Sequence, residues 1–143
     1  MIAFDTGFAA IKSLLEHVTA QDSERVIYLF WLACGAEGLY LNNLCRSWAD
    51  ALDQLHYFPI HLSKAVNEIL DSQYEGMATI EEKLSSALQN IDHLKDADIY
   101  NVSPEPVAKL VQQLLMQKGF AEYQFHHEII RGNPNLKCIH PTS

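Results

Sequence analysis

A run of seven apolar residues at positions 26–32 constrains the fold of this chain more than any other feature. The run reads Val-Ile-Tyr-Leu-Phe-Trp-Leu, with no alternation of apolar and polar positions, so both faces of an extended segment are apolar. Strands of this kind lie inside parallel sheets that helices cover on both sides. The apolar stretch continues to Cys34 and is too short to cross a bilayer. It therefore predicts a buried strand at residues 25–33 of an α/β sheet.

Strand-like and helical segments alternate along the whole chain. The other strands are predicted at residues 1–4, 56–60, 97–102 and 123–130. The main helices are predicted to begin near Phe8, Leu39, Thr79 and Pro104, with the last one ending at Lys118-Gly119. The capping box at 79–82 marks one start, and Ser103 is predicted to cap the last helix with Pro104 at its first helical position. Because crossovers are right-handed, this order predicts an α/β fold with a doubly wound, five-stranded parallel sheet.

Two short loops follow the first and fourth predicted strands, Asp5-Thr6-Gly7 and Ser103-Pro104-Glu105. In a doubly wound sheet, ligands bind beyond the carboxyl ends of the strands, where the strand order reverses. A strand–turn–helix unit presents backbone N–H groups and the positive end of the helix dipole to an anion. We therefore expect a phosphate-bearing ligand at these loops, with an adenosine ribose near residues 34–38. Helix capping alone is the alternative interpretation of the first turn.

The composition narrows the classes of partner. The 143 residues carry a formal net charge of −8, which repels nucleic-acid phosphates, so no nucleic acid is expected as a partner. The three cysteines, Cys34, Cys45 and Cys138, lack metal-type spacing, and their odd number does not suggest a disulfide framework. No membrane segment or signal peptide is recognisable, so we expect a reduced, cytoplasmic setting without membrane association.

Five short motifs in order resemble one family. They are Thr6-Gly7-Phe8, Tyr28-Leu29-Phe30-Trp31 with Gly38-Leu39-Tyr40, the stretch 55–60 (Leu-His-Tyr-Phe-Pro-Ile), 96–100 leading to Pro104, and Phe125-His126-His127-Glu128. Together they resemble the NAD(P)H-binding C-terminal domain of the ferredoxin reductase-like superfamily. The most similar branch comprises flavin reductases and the iron–sulfur flavoprotein reductases that serve oxygenases or the glucoseen reductase step of deoxysugar synthesis. The resemblance covers about residues 1–130, and residues 131–143 are expected to form a tail.

The resemblance implies a strand order of 3-2-1-4-5 and a role in flavin-dependent electron transfer. NADH bound here would pass a hydride to FAD on an N-terminal flavin-binding domain of the same full-length protein. A two-iron iron–sulfur cluster on a further domain and a downstream electron acceptor would follow. Since a hydride needs the flavin acceptor, we expect the isolated chain to be inactive as an enzyme. No catalytic residue and no metal ligand is predicted within it.

Three departures from the family pattern bear on the site. Phe4 and Asp5 replace the first two glycines of the family's Gly-Gly-Thr-Gly turn, and Asp5 brings a carboxylate near an anion. Val102 replaces the cysteine of a Cys-Gly-Pro motif, and Cys34 stands where an arginine often binds a 2′-phosphate. NADH is therefore expected in preference to NADPH. The predicted cofactor-binding residues are Asp5, Thr6, Gly7, Phe8, Ala33, Cys34, Val102, Ser103 and Pro104.

Other interpretations stay open at this stage. Trp31 is expected in the core, with stacking on adenine as the alternative. His126 and His127 are adjacent on a strand and point to opposite faces, so they do not chelate one ion easily. The altered glycine turn also suits a degenerate module that binds no nucleotide and serves regulation or partner docking. An unrelated flavodoxin-like or receiver-like α/β domain is the third possibility.

Overall fold

A computed structural model of the chain describes residues 1–21, 25–35, 41–62, 75–89 and 96–129. Its strands are β1 (Ile2–Phe4), β2 (Ile27–Cys34), β3 (Leu55–Leu62), β4 (Ile99–Ser103) and β5 (Phe125–Ile129). Its helices are α1 (Phe8–Ala20), α2 (Asn42–Ala51), α3 (Glu75–Leu88) and α4 (Glu105–Gln117). Short 3₁₀ turns precede α1 and β5, at Asp5–Gly7 and Glu122–Gln124. The predicted loop beyond Gly35 and the predicted tail at 131–143 lie outside the described residues.

The five strands form one parallel sheet in the order β3-β2-β1-β4-β5. Ala3 of β1 pairs with Trp31 of β2 on one side and with Val102 of β4 on the other. From β1 the chain adds β2 and then β3 on one side of the sheet. It then returns to the other side of β1, where it adds β4 and then β5. The predicted fold class and strand order are confirmed, and the reversal point lies between β1 and β4.

Strand β2 is buried on both faces, as its composition predicts. Leu29, Trp31 and Ala33 are fully buried on the face that α1 and α2 cover, which we call the α1–α2 face. Phe30 and Leu32 are buried on the opposite face with side chains of α3 and α4, which we call the α3–α4 face. Because side chains alternate along a strand, one apolar run supplies two separate cores.

Pro59 lies within β3 at the free edge of the sheet. The carbonyl of Leu62 accepts the Gly35 N–H from the β2 side at 2.9 Å, whereas the carbonyl of His61 accepts the Lys83 ammonium at 2.9 Å. Backbone groups of successive residues point to opposite sides of a strand, so Pro59, like His61, faces away from β2. Its missing N–H therefore removes no ladder hydrogen bond.

The predicted helix starts are less accurate than the predicted strands. Helix α3 already includes Glu75, so Thr79 lies in its second turn and the predicted start there is wrong. Helix α2 begins at Asn42 instead of near Leu39, and it ends at Ala51 because Leu52 is extended. Helix ends are the part of an element that local sequence signals locate least accurately.

Ser103 does not cap α4, contrary to the prediction. It is the last residue of β4, and Pro104 occupies the N-cap position with φ −61° and ψ 154°. The Ser103 hydroxyl is engaged by the Asn101 amide at 2.9 Å, so it is not used to cap the helix. The predicted helix end is correct: Gly119 has φ +104°, and the N–H groups of Gly119 and Phe120 bond to the carbonyls of Met116 and Leu115 at 3.1 Å.

No helix within the described part of the chain combines the length and apolar character needed to cross a bilayer.

Candidate functional site

The reversal point of the sheet brings the two predicted loops together. Because Ala3 pairs with Val102, the residues that follow β1 and β4 emerge side by side at the carboxyl edge. The Asp5–Gly7 turn contacts β1, β2 and β4. The first turn and the end of β4 at Ser103-Pro104 therefore lie next to each other at the carboxyl edge, as the sequence predicts for a doubly wound sheet.

Trp31 contacts the first turn from within the core and stabilises it. Its ring stacks on that of Phe8 with centroids 4.1 Å apart, and both side chains are fully buried. Its indole Nε1–H donates a hydrogen bond to the Asp5 carbonyl at 3.0 Å. The prediction that Trp31 belongs to the core is confirmed. Phe8 can meet a ligand through its backbone only, since its ring is in the same core.

Asp5 holds a backbone conformation that favours glycine. Its φ is +52°, in the left-handed region that most side chains avoid and that aspartate tolerates better than most. The Asp5 position is one of the two where the resembled family has glycine. The turn therefore carries a carboxylate at a position whose backbone conformation favours glycine.

The N-terminus of α1 is the feature that suits an anion. Gly7 is the N-cap residue, and no side chain of the described residues caps the helix. A 3₁₀ turn pairs its amides with carbonyls three residues earlier, so the Asp5–Gly7 turn itself uses some of the N–H groups that the sequence predicted to be free. The dipole of α1 still directs its positive end at this edge.

Ala33 and Cys34 end β2 beside this turn and are almost completely buried. Burial is the main cause that raises the pKa of the Cys34 thiol to about 12, and the Asp5 carboxylate adds to it. The Asp5 carboxylate thus disfavours a thiolate at the end of β2. Within the described residues both Cys34 and Cys45 are free thiols.

We expect Cys34 and Cys45 to resist alkylation in the folded protein. Burial raises the pKa of Cys45 to about 11, so at pH 8 both thiols are protonated. Iodoacetamide labelling of a Cys138→Ser variant, followed by mass spectrometry, should run at least about a hundredfold slower than for a free cysteine. The same variant in denaturant is the control and should label at both positions. Rapid labelling of folded protein at Cys34 would contradict the burial of this strand end.

The last residues of β4 are buried and contact other side chains of the sheet. Val102 is buried on the α1–α2 face, Ser103 has no exposed surface, and Pro104 is half-buried. Pro104 is thus the residue of this group that is most open to a ligand. Sequence reasoning missed Asn101, whose amide contacts both Ser103 and His127. The available signal was an amide side chain between Tyr100 and Val102 in the middle of the strand.

His126 and His127 point to opposite faces, as predicted. The His126 ring stacks on Tyr100 with centroids 4.7 Å apart, and its Nε2 lies 3.6 Å from an Asp98 carboxylate oxygen. The His127 ring stacks on Phe125 at 5.5 Å. Across the described residues, no group of three or more histidine, cysteine or acidic side chains is arranged to hold a metal ion.

Comparison with known proteins gives a consistent set of relatives, although no protein-family model matches the chain. The NAD(P)H-flavin reductase of Vibrio harveyi is 26% identical over 100 residues, which is 70% of this chain and 39% of that protein. Reductase component 2 of the terephthalate 1,2-dioxygenase of Comamonas sp is 25% identical over 93% of this chain and 38% of its own length. The predicted resemblance to ferredoxin reductase-type reductases is confirmed.

A third relative matches the sugar-reductase branch. It is the CDP-6-deoxy-L-threo-D-glycero-4-hexulose-3-dehydrase reductase of Yersinia pestis, 22% identical over 87% of this chain and 35% of its own length. The chain thus spans less than two fifths of the length of each of these three relatives.

Proposed function

We propose that this reductase-type domain binds NADH across the carboxyl ends of β1 and β4 and presents it for hydride transfer to a flavin. The observation that carries the proposal is the reversal of strand order between these strands, with the α1 N-terminus and Pro104 on the same surface. The names of the three relatives described above, each a reductase, support the same electron-transfer role.

Each predicted residue has a place in the proposed complex. The pyrophosphate lies against the backbone of Thr6, Gly7 and Phe8, where the α1 dipole favours an anion and Gly7 offers no side chain. The nicotinamide lies beside Pro104, and the adenosine ribose lies beyond Cys34. Cys34 supplies no positive charge for a 2′-phosphate, which favours NADH over NADPH. The residues fit a dinucleotide, with the Asp5 carboxylate as an opposing group.

The acceptor of the hydride lies on another domain in this proposal. Thr6, Gly7, Phe8 and Pro104 would hold NADH, which would supply a hydride to FAD on another domain. A two-iron iron–sulfur cluster on a further domain would supply single-electron transfer to a downstream acceptor. The contribution of this chain is to fix the position of the nicotinamide. We propose that the full-length protein works in the reduced cytoplasm, which agrees with the two free thiols among the described residues.

Titration of the ¹⁵N-labelled domain with NADH, NADPH and ADP-ribose tests the proposal. The largest amide shifts are expected at Thr6, Gly7 and Ser103, with tighter binding of NADH than of NADPH. ADP-ribose should move the first turn but not Ser103, because it lacks the nicotinamide. An absence of shifts at millimolar NADH would contradict binding by this domain.

A degenerate docking module is the second candidate, and Asp5 favours it. A carboxylate stands on the turn where the pyrophosphate would lie, and its charge already affects Cys34. In that case the fold serves contact with a partner and has lost the nucleotide. The two candidates separate in the same titration, because only the first predicts saturable shifts at the carboxyl edge.

A further inference from the structure

A small polar cluster is buried in the sheet next to the proposed site. It consists of Asn101, Ser103 and His127, and we call it the Asn101 cluster. Asn101 is 1% exposed and Ser103 is 0% exposed. Asn101 and His127 are paired directly across β4 and β5. The cluster therefore connects the edge strand β5 to the last residue of β4, which precedes Pro104.

The hydrogen bonds of the cluster fix the tautomer of His127. The Asn101 amide nitrogen donates to the Ser103 hydroxyl oxygen at 2.9 Å and to His127 Nδ1 at 3.0 Å. In this orientation of the amide, His127 Nδ1 accepts and is unprotonated, and Nε2 carries the ring proton of the neutral imidazole. Asn101 Oδ1 and His127 Nε2 are both buried without a hydrogen-bond partner among the described residues. Each unpaired group destabilises this arrangement.

Protonation of His127 at Nδ1 would reverse the direction of the hydrogen bonds in the Asn101 cluster. His127 Nδ1–H and the Asn101 N–H would then point at each other, and neither can accept. Rotation of the amide by half a turn replaces Nδ2 with Oδ1, which accepts from His127 Nδ1–H and from the Ser103 hydroxyl. Oδ1 gains two partners while Nδ2 loses its two, and Ser103 changes from hydrogen-bond acceptor to donor. The same three side chains thus have two discrete arrangements.

We propose that His127 is a positioning residue that acts through Asn101 on Ser103 and so sets the carboxyl end of β4, reversing the Asn101 amide when it is protonated. The effect on nucleotide rests on the proposed function, whereas the reversal itself does not. Ser103 is fully buried, so the change reaches a ligand through the backbone at Ser103-Pro104.

The surroundings favour neutral His127 at neutral pH. Burial lowers the pKa of His127, and the neighbouring His126 lowers it further. Phe125 stacks on the His127 ring, and Asp98 lies near His126, which points to the other face. On α4, Glu105 and Lys109 are exposed and paired with each other at 3.3 Å. Acidification should therefore populate the reversed arrangement.

Ligand-free NMR of the complete chain tests the reversal. Above the His127 pKa, the ring should show the Nε2–H tautomer. On acidification, the Asn101 side-chain amide and the Ser103 and Glu105 backbone amides should move with one midpoint, which matches that of His127. An Nδ1–H tautomer at neutral pH, or Ser103 resonances that do not respond to His127, would overturn the proposal.

Two variants and a nucleotide titration complete the test. His127→Phe keeps the ring stack and should abolish the shared midpoint, and Asn101→Leu should do the same if His127→Phe fails to fold. The matched control His126→Gln should keep the coupling, with a slightly higher midpoint. The Kd for NADH should rise severalfold below the midpoint in the wild type and stay constant in His127→Phe. Absent NADH binding with the coupled shifts intact would reject the proposed function alone, whereas NADH binding without the pH effect would reject the positioning role.

Discussion

Replacement of Trp31 by alanine is expected to lower the free energy of unfolding by about 3–5 kcal/mol, because it removes the largest fully buried side chain of the core. The Trp31 ring stacks on that of Phe8 with centroids 4.1 Å apart. Its loss would leave a cavity between β2 and α1, since both elements also contact other parts of the core and cannot close the gap. Urea denaturation followed by circular dichroism measures the change.

Trp31→Phe separates packing from hydrogen bonding at the same position. The phenylalanine ring retains most of the stack but lacks the Nε1–H that binds the Asp5 carbonyl at 3.0 Å. A loss of about 1–2 kcal/mol is expected, with faster amide exchange in the Asp5–Gly7 turn. Trp48→Phe, at a half-buried position on α2, is the matched control and should leave that turn unchanged. A Trp31→Ala protein as stable as the wild type would contradict the packing of Trp31 between β2 and α1.

The sheet was predictable because its signals are local and redundant. The apolar run of β2 alone indicates a strand with two covered faces, and the alternation of elements fixes parallel pairing. The strand order came from the resemblance, not from the periodicity. The edge position of Pro59 follows from its missing N–H, which no central strand tolerates.

The missed features depend on contacts between distant segments. The Ser103 hydroxyl is a good helix cap by local rules, yet Asn101 engages it within β4. The Asn101–His127 contact joins residues 26 positions apart, and no local window detects such a pair. Thr79 fits a capping box, but α3 extends toward its N-terminus beyond it. Local signals identify what a residue can do, and tertiary contacts decide which option is used.

Asp5→Gly is expected to tighten NADH binding about tenfold, provided that the domain binds nucleotide as proposed. Glycine adopts the observed φ of +52° freely, so the turn is retained without a side chain. Two like charges roughly 6 Å apart repel by about 3 kcal/mol at an effective dielectric constant of about 20, and salt reduces this value. Fluorescence titration with NADH measures the affinity.

Asp5→Asn distinguishes charge from bulk, because asparagine keeps the side-chain shape and tolerates a positive φ. If repulsion dominates, Asn and Gly variants should gain similar affinity; if the side chain obstructs the pyrophosphate, only Gly should gain. Both variants should also lower the pKa of Cys34, since the Asp5 carboxylate is one of the two causes that raise it. That thiol titration requires no ligand, so it verifies the removal of the charge independently. A lowered Cys34 pKa with unchanged NADH affinity would place the nucleotide away from this turn.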